Sequence, residues 1–180
     1  MSLRVPRGAG LVVTGPEGCG RTTLVRALVG LVAPAGGRVE TLGGNPLDPE
    51  HRRRIGFGPE GLPFPRVMRV SEALGLVAAL RGVPRSEVVP TLERCGIATA
   101  VGRRIHALEP EEVRRLSLAC ALIGDPEGIV LDDPWEFPET VAALARALDR
   151  GATVLVASPD PGGFPALLGR TLTLIDGRRS

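Results

Sequence analysis

Residues 15 to 22 read Gly15-Pro16-Glu17-Gly18-Cys19-Gly20-Arg21-Thr22, the spacing of the phosphate loop G-x-x-x-x-G-K-[ST] with arginine at the lysine position. Glycines at such spacing let backbone N–H groups turn inward around phosphate oxygens, and the positive end of a following helix adds to the attraction. Thr22, followed by Thr23, offers a hydroxyl suited to Mg²⁺. Far downstream, Leu131-Asp132-Asp133-Pro134 closes an apolar run. An acid there, Asp132, can hold Mg²⁺ opposite a phosphate loop, and a second, Asp133, can orient an attacking water. Loop and paired acids together point to binding of Mg·ATP and metal-assisted phosphoryl chemistry.

Such groups must be delivered by particular elements. The apolar run Leu11–Thr14 reads as the strand that feeds the loop, and Arg21–Leu31 as the helix behind it, stopped by Pro34 and Gly36-Gly37. Arg38–Leu42 alternates like a strand, and Ile55–Phe57 reads as a short buried one. Between residues 61 and 107 strand signals give way to two amphipathic helices, Val70–Arg81 and Ser86–Cys95, separated by Gly82-Val83-Pro84. Glu111–Ile123 and Glu139–Arg150 are further helices. Gly128–Asp132, Thr153–Ser158 and Arg170–Asp176 are further strands. Alternation of this kind predicts an α/β fold, a mostly parallel sheet with helices on both faces.

A chain of 180 residues suffices for one domain with a substantial core. Its net charge of +2 gives no electrostatic case for nucleic acid. All 22 basic residues are arginine. That bias towards GC-rich codons bears on Arg21, which need not signal selection for a new chemistry. Cys19, Cys95 and Cys120 have no metal-ligand spacing and imply no disulfide framework, so a reducing cytosol is the default. No secretory signal precedes Val5, and no apolar stretch approaches the ~20 residues a membrane helix needs, so no direct membrane insertion is expected.

Arg114-Arg115-Leu116-Ser117-Leu118-Ala119-Cys120-Ala121-Leu122-Ile123-Gly124-Asp125-Pro126, with the paired acids a few residues later, resembles the ATP-binding cassette (ABC) family. The resemblance runs from Val5-Pro6-Arg7-Gly8 to Ile175-Asp176-Gly177. Gly56-Phe57-Gly58-Pro59-Glu60 and the arginine-rich style are most similar to the ATPase subunits of bacterial drug or antibiotic exporters. The resemblance implies a P-loop NTPase-type sheet in a single nucleotide-binding domain over residues 1–180, with a helical subdomain inserted at 61–107. It also implies ATP and Mg²⁺ as ligands, a homo- or heterodimer of such domains, and a membrane permease that holds them at the inner face of the cell membrane. Residues 15–23 would hold phosphate, and Thr22 and Asp132 the metal. Glu60 would stand at the Mg²⁺-sensing glutamine position and Asp133 at the catalytic glutamate. Met1 falls just before Leu3-Arg4-Val5-Pro6, so the family's N-terminal strands and adenine-stacking aromatic are expected to be missing, or lost to a mis-called start codon.

Several aligned positions depart from the family pattern. The signature LSGGQ corresponds to Leu108-Glu109-Pro110-Glu111-Glu112, the switch histidine to Pro159, the loop lysine to Arg21 and the catalytic glutamate to the shorter Asp133. Arginine is a wide planar fork where lysine is a compact point charge. Pro110 has no N–H to donate, and carboxylates facing phosphate repel it. Losing one donor to transferring charge typically reduces rate by ~10²–10³. The expectation is therefore weak or absent hydrolysis. A non-catalytic, cassette-derived module for partner binding or regulation is the alternative, and a small P-loop kinase fits residues 108–134 less well. Glu109–Glu112 also suits a helix start, where acids complement the dipole. Arg52–Arg54 reads as a solvated surface run, His51 and His106 as isolated surface residues, and Cys19 as a filler of a crowded loop. Trp135 suits either an interface anchor or the cover of a core edge.

Overall fold

Apolar residues on alternate sides of three strands feed two separate cores, the pattern of parallel strands covered on both faces. Val12, Ile129, Leu131, Val154 and Val156 enter one, whereas Leu11, Val13, Val130 and Leu155 enter the other. The computed structural model describes residues 3–179. Its strands are β1 (Gly10–Thr14), β2 (Ile55–Gly58), β3 (Gly128–Asp132), β4 (Thr153–Ala157), β5 (Thr171–Ile175) and β6 (Arg178–Arg179). They lie in the order β2-β3-β4-β1-β5-β6, parallel except for β6. Asp132 is in register with Ala157, which is in register with Val13. The loops after β1, β3 and β4 therefore leave side by side at one edge, where ligands of open α/β sheets bind.

The helices are α1 (Arg21–Leu28), α2 (Pro49–Arg52), α3 (Val70–Arg81), α4 (Val88–Arg94), α5 (Pro110–Leu122), α6 (Pro138–Asp149) and α7 (Phe164–Leu168). Residues 61–107 hold α3, α4 and short 3₁₀ turns. Val70, Leu74, Leu92 and Ile97 of this segment are buried with Leu116 of α5 in the same cluster that receives Ile129 and Val154. That continuous apolar contact seats α5, and with it the residues flanking the β3 acids.

Three local readings are corrected. Residues 38–42 are not a strand: a single bridge joins Thr41 to Gly44, and none of the five is buried. Alternation makes a strand only where a neighbour completes the ladder, and no such neighbour is present among the described residues. The first helix ends at Leu28, short of Leu31, because Gly30 turns left-handed (φ 72°) and the N–H groups of Leu31 and Val32 fold back to the Arg26 carbonyl. Arg52–Arg54 lies at the surface as expected, with Arg53 exposed, but its members are paired within the chain rather than free. Arg52 sits on α2 and donates to the Pro46 and Leu47 carbonyls, and Arg54 pairs with Glu127 at 2.6 Å. His51 is not isolated either. Its Nε2 meets the Thr41 carbonyl and its Nδ1 lies 3.4 Å from Arg54, which assigns the proton to Nε2. His106 is exposed, as expected.

Candidate functional site

The loop between β1 and α1 is shaped by glycines where a side chain cannot stand. A Cβ on Gly15 would lie 2.2 Å from the Leu174 carbonyl oxygen, and Gly20 enters α1 at φ 100°. Pro16, Glu17 and Gly18 are exposed, and Cys19 is buried beneath them. The Cys19 carbonyl accepts from the Gly177 N–H at 2.9 Å, so the turn after β5 pins the base of the loop. Arg21 does not project into the space above the loop. Its guanidinium donates to the carbonyls of Gly15 and Pro16, the latter at 3.0 Å, and lies 3.5 Å from Cys19 Sγ. Thr22 points the other way, and its hydroxyl donates to Asp132 Oδ1 at 3.4 Å. Thr23 is exposed.

Asp132 ends β3 almost wholly buried. Burial pushes its carboxyl above the usual carboxylate range; the Thr22 hydroxyl works against this, and the charge on Glu60 adds to it. A buried acid raised in this way, facing a hydroxyl, is a hard-oxygen donor set that suits Mg²⁺. Asp133 takes a left-handed conformation (φ 50°), which acids tolerate better than most residues, and its N–H donates to the Ala157 carbonyl at 2.7 Å. Its carboxylate lies 3.4 Å from an Arg114 guanidinium nitrogen and 3.3 Å from the Ser158 hydroxyl. Glu60, on the loop after β2, has its carboxylate 3.9 Å from Arg114, and its carbonyl accepts from Arg114 at 2.8 Å. The structure thus gathers Thr22, Asp132, Asp133 and Glu60 at one edge.

Arg114 and Ser158 join these residues without having been singled out in the sequence. Ser158 was legible as the residue that ends an apolar strand beside the other site loops. Arg114 carried no separate signal in a run of two arginines. Pro159, expected at the switch position from the resemblance, offers only its carbonyl, which accepts from the Thr14 hydroxyl at 3.3 Å. The acids at 109–112 are used locally. Glu112 accepts from the Glu109 N–H at 2.9 Å and pairs with Arg103, Glu111 pairs with Arg115 at 3.0 Å, and Pro110 opens α5. Trp135 is 42% exposed and lies beside Phe137, with ring centroids 5.8 Å apart. A groove of about 250 Å³ lined by Asp133, Trp135, Ser158, Asp160 and Phe164 opens next to the paired acids. Cys95 and Cys120 take no part: burial pushes both thiols up to about 12.

Among the described residues no helix is long and apolar enough to cross a membrane. Residues 1–136 match the family model described as ABC transporter. The zinc import ATP-binding protein ZnuC of Paracoccus denitrificans is 38% identical, over 82% of this chain and 58% of its own length. A putative ABC transporter ATP-binding protein of Methanopyrus kandleri, MK0182, is 33% identical over 99% of this chain and 72% of its own length. The chain thus spans about three fifths of the first of these relatives. Two solved structures share the fold at 21% identity and TM-score 0.83. One is an ATP-binding subunit of an ABC transporter, aligned over 96% of this chain and 77% of its own. The other is the dimeric post-hydrolysis cassette MJ0796 with ADP and Pi, aligned over 99% and 87%. ZnuC is named for import, so it lends no support to the exporter likeness read from residues 56–60. The family model and the sequence relatives agree, and the chain belongs to the ABC transporter family as an ATP-binding domain.

Proposed function

We propose that this chain binds Mg·ATP at residues 15–23 and Asp132 and couples that binding to a membrane permease, with hydrolysis weak or absent. The observation that carries the reading is the Thr22–Asp132 contact at 3.4 Å, which sets a metal-suited hydroxyl and a buried acid against each other at the mouth of the phosphate loop. Backbone N–H groups of residues 18–22 and the start of α1 would bind the phosphates once Arg21 leaves the Gly15 and Pro16 carbonyls. Thr22 and Asp132 would hold Mg²⁺. The ion, when bound, neutralises and orients the phosphate oxygens. Asp133 is the acid next to Asp132 that would orient water, and it is already engaged by Arg114 and Ser158. Pro159 has no donor for a phosphate oxygen, and Glu109, Glu111 and Glu112 would present carboxylates to the second subunit of a cassette dimer. Dimerisation is supported by the dimeric cassette MJ0796, and the permease and a place at the inner membrane face are expected from membership of the ABC transporter family.

A second reading, a cassette-derived module that acts without nucleotide, is favoured by one feature: Arg21 caps the loop carbonyls from within. Calorimetric titration of Mg·ATP into the wild type and Arg21→Lys, followed by turnover assays, separates the two. Binding in both, lost in Asp132→Asn only when Mg²⁺ is the metal supplied, supports the first reading. Undetectable binding in wild type and Arg21→Lys alike refutes it. Turnover of several per second, abolished in Asp132→Asn, would overturn the weak-hydrolysis part alone.

A further inference from the structure

Arg114 and Arg115 are consecutive on α5 yet serve different ends. Arg115 is held within the helical layer. It pairs with Glu111 at 3.0 Å and Glu139 at 3.1 Å, donates to the Cys95 carbonyl, and stacks 4.4 Å over Phe137. Arg114 instead spans two loops of the site edge, the one after β2 and the one after β3. One nitrogen donates to the Glu60 carbonyl at 2.8 Å after β2. The other lies 3.4 Å from the Asp133 carboxylate and 3.9 Å from that of Glu60. Its carbon sits 5.8 Å from the ring centre of Trp135, near the outer limit of a cation–π contact. With a side chain only 16% exposed, it cannot be replaced there by solvent without rearrangement.

The geometry points to Arg114 as a positioning residue: it clamps Asp133 to the loop of Glu60 and carries the state of that clamp to the indole of Trp135. A guanidinium is suited to this because its rigid fork serves two acceptors while its face meets an aromatic ring. Asp133 is one methylene shorter than glutamate, so a cation must come to it, and α5 supplies one. Released from Asp133, Arg114 loses the anchor that aligns it over the ring. Conversely, whatever covers Trp135 at its exposed face presses on the same guanidinium. The clamp needs no nucleotide, and its fate is independent of whether Mg·ATP binds.

The chain has one tryptophan, so its fluorescence reports on position 135 alone. Acrylamide quenching is measured without nucleotide on wild type, Arg114→Gln, Asp133→Asn and the double variant, each checked for folding by far-ultraviolet circular dichroism. Removing the guanidinium takes away the cation that neighbours the ring at 5.8 Å, so the quenching constant of Arg114→Gln should rise above wild type. Asp133→Asn should raise it in the wild-type background and add nothing in the Arg114→Gln background. Equal effects of Asp133→Asn in both backgrounds, or wild-type quenching in Arg114→Gln, overturn the proposal. Should Arg114→Gln fail to fold, Asp133→Asn in the wild-type background decides: unchanged quenching overturns it and raised quenching supports it. A purely structural staple would lower the melting temperature without this dependence of Trp135 on Asp133.

Discussion

Arg21→Lys should tighten Mg·ATP binding, and the size of the gain follows from what Arg21 touches. Its guanidinium donates to the Gly15 and Pro16 carbonyls from within the loop. A charged hydrogen bond contributes ~1.5–3 kcal/mol when well buried. These two share one nitrogen at a partly exposed edge, so ~1 kcal/mol each is the figure to carry after solvent screening. Together they hold the loop in its self-capped form by ~2 kcal/mol, which weakens the apparent affinity by roughly thirtyfold. The lysine nitrogen lies one bond closer to the backbone than the arginine nitrogen that makes both contacts, so it keeps at most one carbonyl, which halves the offset to ~1 kcal/mol and recovers about fivefold. Its compact charge also fits a phosphate cradle better, so about five- to tenfold tighter binding is expected overall. Isothermal titration calorimetry at saturating Mg²⁺, with Arg21→Ala as reference, measures it. Binding by Arg21→Lys equal to or weaker than wild type would refute the reasoning. So would Arg21→Ala binding tighter than Arg21→Lys, since the cation at this position would then contribute nothing to phosphate.

Asp132→Asn should leave the ligand-free protein at least as stable as wild type near neutral pH. Burial raises the folded carboxyl above its unfolded value, so the ionised form subtracts stability as pH rises through the raised value, and the amide still accepts from Thr22. Melting curves from pH 4 to 8 check this: the advantage of the variant should shrink towards acid as Asp132 takes up its proton. Gly15→Ala would drive a Cβ to 2.2 Å from the Leu174 carbonyl. Overpacking of this kind costs ~1–3 kcal/mol, so the melting temperature should fall by several degrees and phosphate binding should be lost with it. Leu92→Ala removes a side chain that is 0% exposed in the helical layer. A loss of ~2–5 kcal/mol is expected in urea unfolding, with the affinity of the folded protein for Mg·ATP unchanged.

What could be read in the sequence was whatever depends on one segment at a time. Leu11–Thr14, the glycine loop and α1 follow from local pattern, and Gly128–Asp132 is apolar enough to stand in a sheet covered on both faces. The helical character of 61–107 likewise rests on apolar spacing within α3 and α4. Residues 38–42 had the alternation of a strand, but a ladder is a property of two segments, and one segment cannot announce its partner. The four residues of α2 were signalled by Asp48 as cap and Pro49 in the first turn, a local cue overshadowed by the arginines that follow. The direction of Arg21 was beyond sequence. Arginine at that position suits phosphate or backbone carbonyl equally, and only the curl of the loop brings the carbonyls within reach. The partners of Arg114 were hidden for the same reason, since they lie on two loops joined only by the sheet.

The polar groups at this edge have a feature in common: each has found a partner within the chain. Arg21 rests on loop carbonyls, Asp133 on Arg114 and Ser158, and Thr14 on the Pro159 carbonyl. Thr22 and Asp132 differ, because their long mutual contact leaves a buried acid with its charge disfavoured. A divalent cation would relieve that imbalance, whereas a phosphate group must first displace contacts already made. Metal and nucleotide affinity therefore need not fall together. On the proposed reading, the departures at Arg21 and Asp133 would act by occupying the site from within as much as by removing groups from it. Restoring lysine at position 21 addresses only the binding step, because the clamp on Asp133 and the helix-start acids lie in other segments and are held by other arginines.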